Sequence, residues 1–480
     1  MWQGARPFVV THLQMGSSSC HPFRRLGALT GAPRAACRDL SQLRPLQSTK
    51  DEFQEVRVET TPTATASAMA SGAGRMPLLR HLGLGSYWFG TYFVVTPVYT
   101  VLLQVQVTET VAKGSQATAI GIATFLGGIF AMVLPPVVGA WSDRLTTRWG
   151  RRRPIMVAGT LGIVAALLVM YGAHSYPALL VGFVLTVATL NVAGAAYVAV
   201  IPDVVRGSET GRASGVLGFF VQLGSVISLL ATLVFANAGQ IRFTYLVLIL
   251  VLVLSLLPTL WAAAGEGRRP APEHPRRTFR EFLSPLWTGD FGWAFFTRFL
   301  NVSGLYATLP FLLIAFRDLF GVGNPQTFTA LFEAIVTLTA VPLAILCGWL
   351  SDRRGRKRFV YAAAGIQTIV LLIFLAGNAI PLSLVLVLAV VYGIGFGTFS
   401  SVDWALGLDT LPDRDRPAKD LGLYHVADSL PRVLLPFVMG FVVDGVNRMS
   451  ANAGYRVTFL VAAGLYAGSG ILVRRIRSVR

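Results

Sequence analysis

The chain has 480 residues, of which 54% are hydrophobic and 13% charged, against roughly 25% charged in a soluble protein. With a mean hydropathy of +0.60, that balance excludes a water-soluble globule. Lys and Arg outnumber Asp and Glu by 41 to 23, for a formal charge of +18. These cations fall in short clusters between apolar blocks, which argues against a nucleic-acid partner. Three cysteines (Cys20, Cys37, Cys347) and six scattered histidines offer neither a disulfide framework nor a metal site, so no metal and no cofactor are expected.

Residues 1–75 are polar and rich in Arg, Ser, Pro and Thr, with no apolar run fit for a signal-peptide core. No acidic residue precedes Asp39, whereas Arg6, Arg24, Arg25, Arg34 and Arg38 do, a weak likeness to an organelle transit peptide. The plainer expectation is a disordered extension, or a true start at Met69 or Met76.

Apolar blocks then follow at regular intervals. Spans are expected at 83–106, 118–140, 155–173, 177–201, 213–236, 243–264, 291–316, 328–350, 359–377, 381–402, 420–442 and 456–473. Each is close to the ~20 residues that cross ~30 Å of hydrocarbon. Backbone groups in lipid must be satisfied within the segment, which makes these spans helices. The expected class is an all-α membrane protein of twelve transmembrane helices.

Basic residues crowd the loops after even-numbered helices: Arg144, Arg148 and Arg151 to Arg153; Arg206 and Arg212; Arg268 to Arg280; Arg353 to Arg358; Arg414 to Lys419. By the positive-inside rule both termini are cytoplasmic. The expected location is the plasma membrane.

Gly139-Ala-Trp-Ser-Asp143-Arg144 after the second helix recurs as Gly348-Trp-Leu-Ser-Asp352-Arg353 after the eighth, the aspartates 209 residues apart. Pro202-Asp203…Gly211-Arg212-Ala-Ser-Gly215 is echoed by Asp409…Pro412…Ala418-Lys419-Asp-Leu-Gly422, the glycines 207 apart. One offset for two motifs implies two pseudo-symmetric six-helix halves, 80–264 and 291–475, joined by a polar cytoplasmic linker, 265–290. Parallel halves of this kind are a transporter architecture with its site at the midplane.

Gly348, Asp352, Arg353, Gly355, Arg356 and Lys357 form Gly-x-x-x-Asp-Arg-x-Gly-Arg-Lys. Physically this reads as a gate latch: Gly348 for close helix approach, Asp352 to accept from a helix N-terminus or an Arg, and the cations to pin the loop at the headgroups. A mere topological anchor is the alternative. The pattern resembles the signature loop of the major facilitator superfamily, and the resemblance covers residues 80–475. The longer first copy, with Gly139, Asp143, Arg144, Gly150, Arg151 and Arg152, is similar to that loop in the sucrose-transporter and glycoside–cation symporter branch. Thr96-Pro97, Tyr99 and Gln104 are similar to that branch too. The resemblance implies the major facilitator fold and proton-coupled sugar symport. In the fourth helix the chain departs from the branch, placing Thr186 and Tyr197 where sucrose carriers have an acidic and a basic residue.

Charges within spans cost about 2.5–3.5 kcal/mol at a helix centre, so each normally has a partner or a task. Arg298, Asp403, Asp428 and Arg432, with Asp403 closing the tenth helix and His425 nearby, could form one buried network. It would serve either ion coupling or helix packing. Glu333 in the eighth helix and Glu109 at the outer end of the first are further candidates, each read first as an interface or vestibule charge. Tyr92, Tyr99, Gln104, Asn191, Gln222 and Asn301 are candidates for the solute path, since amides and phenols suit hydroxyl-rich ligands; singly, each could equally be an interhelical hydrogen bond. Gly393-Ile-Gly395-Phe-Gly397 lies inside a span without a preceding strand and reads as helix packing.

These features point to a monomeric secondary active transporter in the lipid bilayer, moving a small polar solute with a proton or sodium ion. An enzyme is not expected, for want of a paired nucleophile and base. A drug or metabolite efflux antiporter is the alternative. Antiporters of the resembled superfamily usually carry Gly-Pro in the fifth helix, where this chain has Gly215, Gly218 and Gly224 without it.

Overall fold

The computed structural model describes residues 76–142, 144–145, 147–205, 209–264, 283–287, 289–412 and 417–478. The extension before residue 76, most of the 265–290 linker and Asp143 lie outside the described residues. Among those described there is no strand, and twelve helices are long and apolar enough to cross a membrane: α1 Leu78–Thr110, α2 Gln116–Ser142, α3 Arg153–Tyr171, α4 Tyr176–Val204, α5 Arg212–Asn237, α6 Ile241–Ala262, α7 Gly289–Asp318, α8 Pro325–Arg354, α9 Arg356–Phe374, α10 Leu382–Asp409, α11 Asp420–Met449 and α12 Ala453–Arg475. Each overlaps one expected span; α3, α6 and α9 stop two or three residues short of it, and α10 and α11 run seven residues past it. Large apolar side chains stay exposed along them, such as Leu250 at 58% and Ile345 at 75%, as lipid-facing helices require.

Local chemistry explains the ends. Asn324 caps α8, its side-chain oxygen accepting from the Thr327 N–H at 3.2 Å, with Pro325 in the first turn. No loop separates α8 from α9: Gly355 alone makes the break, at φ +92°. Gly150, which precedes Arg151 before α3, has φ +101°. Both motif glycines therefore occupy a region that side-chain-bearing residues avoid. Asp403 does not close α10, which continues to Asp409; the apolar and small residues Trp404 to Leu408 sustain it for another turn and a half.

Helix α1 is interrupted by a π turn, Val98–Leu102, directly after Pro97, because proline removes one N–H from the ladder. Its counterpart α7 is interrupted by a 3-10 turn, Leu309–Phe311, around Pro310.

The packing repeats between the two sets of six. Helix α1 packs on α5 and α6, α2 on α4, and α3 on α4; likewise α7 packs on α11 and α12, α8 on α10, and α9 on α10. The most extensive contacts between the sets are α2 with α11 and α5 with α8, one interface repeated by the pseudo-symmetry. Glycine brings α2 and α11 together: a Cβ on Gly121 would lie 2.5 Å from the Pro436 carbonyl oxygen, and one on Gly440 2.5 Å from that of Ala117.

Candidate functional site

A cavity of about 970 Å³ lies between the sets, lined from α1, α2, α4, α5 and α7 to α12. Tyr92 and Tyr99, seven residues and about two turns apart on α1, face the cavity together, Tyr99 from within the π turn. Asn191 of α4 and Gln222 of α5 also line it. Four of the six solute-path candidates are thus brought to one space.

The other two are not. Gln104 is fully buried beyond the cavity, its Nε2 donating to the Leu309 oxygen at 3.3 Å and its Oε1 accepting from the Leu313 N–H at 2.9 Å. The α7 break frees backbone groups that this amide satisfies. Asn301 donates to Gln367 Oε1 at 3.1 Å on α9 and holds helices together. Thr186 bonds the Gly182 carbonyl and Tyr197 the Leu84 carbonyl, so neither contributes to the cavity.

Sequence reasoning passed over Ser225, Tyr306 and Tyr392, and it read Glu333 as an interface or vestibule charge; all four line the cavity. Glu333 had a signal, being an acid inside an apolar run. The hydroxyls had none, since a Ser or Tyr in a span more often serves packing.

Arg298, Asp403, Asp428 and Arg432 do form one network. Arg298 pairs with Asp403 and approaches Asp428 at 3.6 Å, and Arg432 holds Asp428 at 2.9 Å. The Tyr424 hydroxyl donates to Asp403 at 2.9 Å, while its ring lies 4.8 Å from the Arg298 guanidinium. Arg432 stands 5.1 Å from the Tyr306 ring and is the one member of the four that lines the cavity. The set thus joins α7, α10 and α11 and presents a cation to the solute space.

One end of the cavity is closed. Where α1 finishes, Asp444 of α11 accepts from the N–H groups of Ala117 and Thr118 at 3.4 and 2.6 Å, a carboxylate on the positive end of α2. Arg317 donates to Gln116 at 2.7 Å, and Lys113 pairs with Asp318 at 3.4 Å. At the opposite end the helices stand apart: a Cβ on Gly139, Gly215, Gly218 or Gly422 would meet nothing within 4 Å.

The motif loops lie at this splayed end. Arg151 donates to both Asp203 oxygens at 3.0 and 2.9 Å, and Arg152 approaches Asp203 at 3.6 Å and bonds Ser142. In the second copy Arg356 pairs with Asp409 at 2.9 Å and with Asp352 at 3.3 Å. Arg353 stacks 4.0 Å from the Trp349 ring, Lys357 bonds the Ile476 carbonyl, and Arg144 is exposed. In this state Gly139 has open space, and a Cβ on Gly348 would sit 3.7 Å from Ser401 Cβ of α10, an ordinary packing distance. The tightest glycine crossings between the sets are at Gly121, Gly128 and Gly440.

Residues 82–418 and 337–480 match the Major Facilitator Superfamily. The myo-inositol transporter 3C of Cryptococcus neoformans is 31% identical over 153 residues, 32% of this chain and 24% of that protein. The sucrose transport protein SUT1 of Oryza sativa is 48% identical over 44 residues, 9% of this chain and 8% of that one. Human proton-associated sugar transporter A is 44% identical over 43 residues, 9% of this chain and 6% of that one. These matches therefore span a quarter or less of each relative. Among solved structures, the nucleoside transporter NupG has TM-score 0.62 at 14% identity, covering 84% of this chain and 99% of that one. A bacterial homologue of the human lysosomal transporter Spinster has TM-score 0.63 at 15% identity, covering 84% and 99%. At such identities the likeness is one of fold.

Proposed function

The chain belongs to the major facilitator superfamily, and from that premise we propose that it carries a sugar or polyol across its membrane by proton-coupled symport. The observation that carries this reading is the chemistry of the central cavity. Phenol, amide and hydroxyl groups (Tyr92, Tyr99, Asn191, Gln222, Ser225, Tyr306) alternate there with aromatic faces. Such walls hydrogen-bond hydroxyl-rich solutes and stack on their rings. The names of relatives over short segments, an inositol, a sucrose and a proton-associated sugar transporter, support the same class.

In this proposal the six-helix units 80–264 and 291–475 rock about the central site, joined by the 265–290 linker. The basic loops set the linker, both termini and the splayed end in the cytoplasm, which makes the present state inward-open. The Arg298–Asp403–Asp428–Arg432 set couples occupancy at Arg432 to the packing of α7, α10 and α11. The Asp203 and Asp409 ion pairs hold the motif loops as latches.

Uptake of labelled myo-inositol, sucrose and hexoses into proteoliposomes, with and without an inward proton gradient, tests the reading. Accumulation of at least one of them above the external level, abolished by a protonophore, is expected. Uptake indifferent to the gradient for every member of the panel would overturn it.

A further inference from the structure

Most acidic side chains described on the spans have a visible partner. Asp203 has Arg151, Asp318 has Arg317 and Lys113, Asp403 has Arg298, Asp428 has Arg432, and Asp444 has the first turn of α2. Glu333 differs. It lies about two turns into α8 on the wall of the central cavity, flanked by the buried Phe332 and Ala334, and among the described residues no cation or N–H is bonded to it. An ionised carboxyl in that setting is uncompensated, and charges within a membrane span are held there by a partner or by a task.

We propose that Glu333 is the proton-carrying group of the transport cycle, a role that rests on the symport reading given above. Its carboxylate takes one proton from the open side to become the neutral acid and releases it to the other side. No bond other than O–H forms or breaks.

The position of α8 suits the task. The helix packs on α10 within its own half and on α5 across the interface between halves, so the state of Glu333 is felt where the halves meet. While the cavity is open, water can solvate the carboxylate. When the halves close over it, that solvation is lost, and the proton relieves the charge. The ionisable groups that share the cavity are Tyr392 of α10, Tyr92 and Tyr99 of α1, Tyr306 of α7, and His425 and Arg432 of α11. Arg432 is already committed to Asp428, which leaves the His425 imidazole as the other side chain there able to take up a proton.

The test is made on the full chain in lipid. In the infrared difference spectrum between acidic and alkaline buffer, the wild type should show the C=O stretch of a protonated carboxylic acid. Glu333→Gln should lose that band, Glu333→Asp should restore it at a shifted frequency, and His425→Gln should keep it. In proteoliposomes Glu333→Gln should lose gradient-driven accumulation, and its solute exchange should no longer vary with pH. A band that survives in Glu333→Gln, or one lost in His425→Gln alone, overturns the assignment. The two readings separate cleanly. If no tested sugar accumulates but the band depends on Glu333, the solute reading fails and the proton site stands.

Discussion

Gln104 accepts the backbone N–H of Leu313 at 2.9 Å, and the two residues lie 209 positions apart, the same interval that separates the two motif aspartates. The bond therefore joins pseudo-equivalent points of α1 and α7, each just past the proline break of its helix. Gln104 satisfies backbone groups that Pro310 and the 3-10 turn leave without a helical partner. Gln104→Leu should strand the Leu313 N–H in a buried site, at a cost of about 1–3 kcal/mol. Thermal unfolding in detergent should show a clear fall in midpoint. An unchanged midpoint would mean that another acceptor takes the N–H.

The seal at Asp444 has a different consequence. Its carboxylate caps α2 from α11, and it can do so only while the closed end stays closed. Asp444→Asn should therefore weaken this state by about 2 kcal/mol, the worth of a charge-assisted hydrogen bond. Spin labels on α2 and α11 at this end would report the longer-distance population, which should grow. A distribution identical to that of the wild type would remove Asp444 from the gate.

How much of this was legible in the chain depends on the scale of the signal. Span number and the internal repeat were, because a bilayer imposes a length on every helix and duplication imposes one offset. The association of Arg298, Asp403, Asp428 and Arg432 was legible too, since charges in lipid seek one another. The exchange of Gln104 and Asn301 for Ser225, Tyr306 and Tyr392 in the cavity wall was not. Which way a polar side chain points turns on the π turn at Val98 and the break at Leu309, and their exact register is a product of packing. Among the motif glycines, Gly150 and Gly355 take positive φ, which spacing alone did not announce, and close approach across the interface between the sets belongs to Gly121 and Gly440.

Asp352 is 64% exposed and only 3.3 Å from Arg356, whereas Asp409 holds the same guanidinium at 2.9 Å. Asp352 thus contributes little to this state, in keeping with exposed pairs worth about 0–1 kcal/mol. Asp352→Asn should leave the unfolding midpoint within a degree or so and leave solute affinity intact. Turnover should fall nonetheless, because the carboxylate is available to a partner when the splayed end closes. Asp409→Asn, by contrast, should lower both stability and turnover. Equal stability losses in the two variants would contradict this division.

Asp428 stands between two guanidiniums, 2.9 Å from Arg432 and 3.6 Å from Arg298. A carboxylate so placed is a structural counter-ion before it is a proton site, since either arginine would be left partly unpaired without it. Arg298 retains Asp403 and the Tyr424 ring, so the loss falls mainly on Arg432, whose remaining support is the Tyr306 ring. Asp428→Asn should therefore release Arg432 from its fixed position on the cavity wall. The expected outcome is a raised half-saturating solute concentration and a stability loss of about 1–3 kcal/mol, less than for a fully buried pair. Dependence of uptake on the proton gradient should survive, because the titrating group is elsewhere. Concentrative uptake, counterflow exchange and thermal stability measured on one preparation decide the matter. A stable Asp428→Asn protein that exchanges solute but no longer responds to the gradient would move the proton from Glu333 to Asp428.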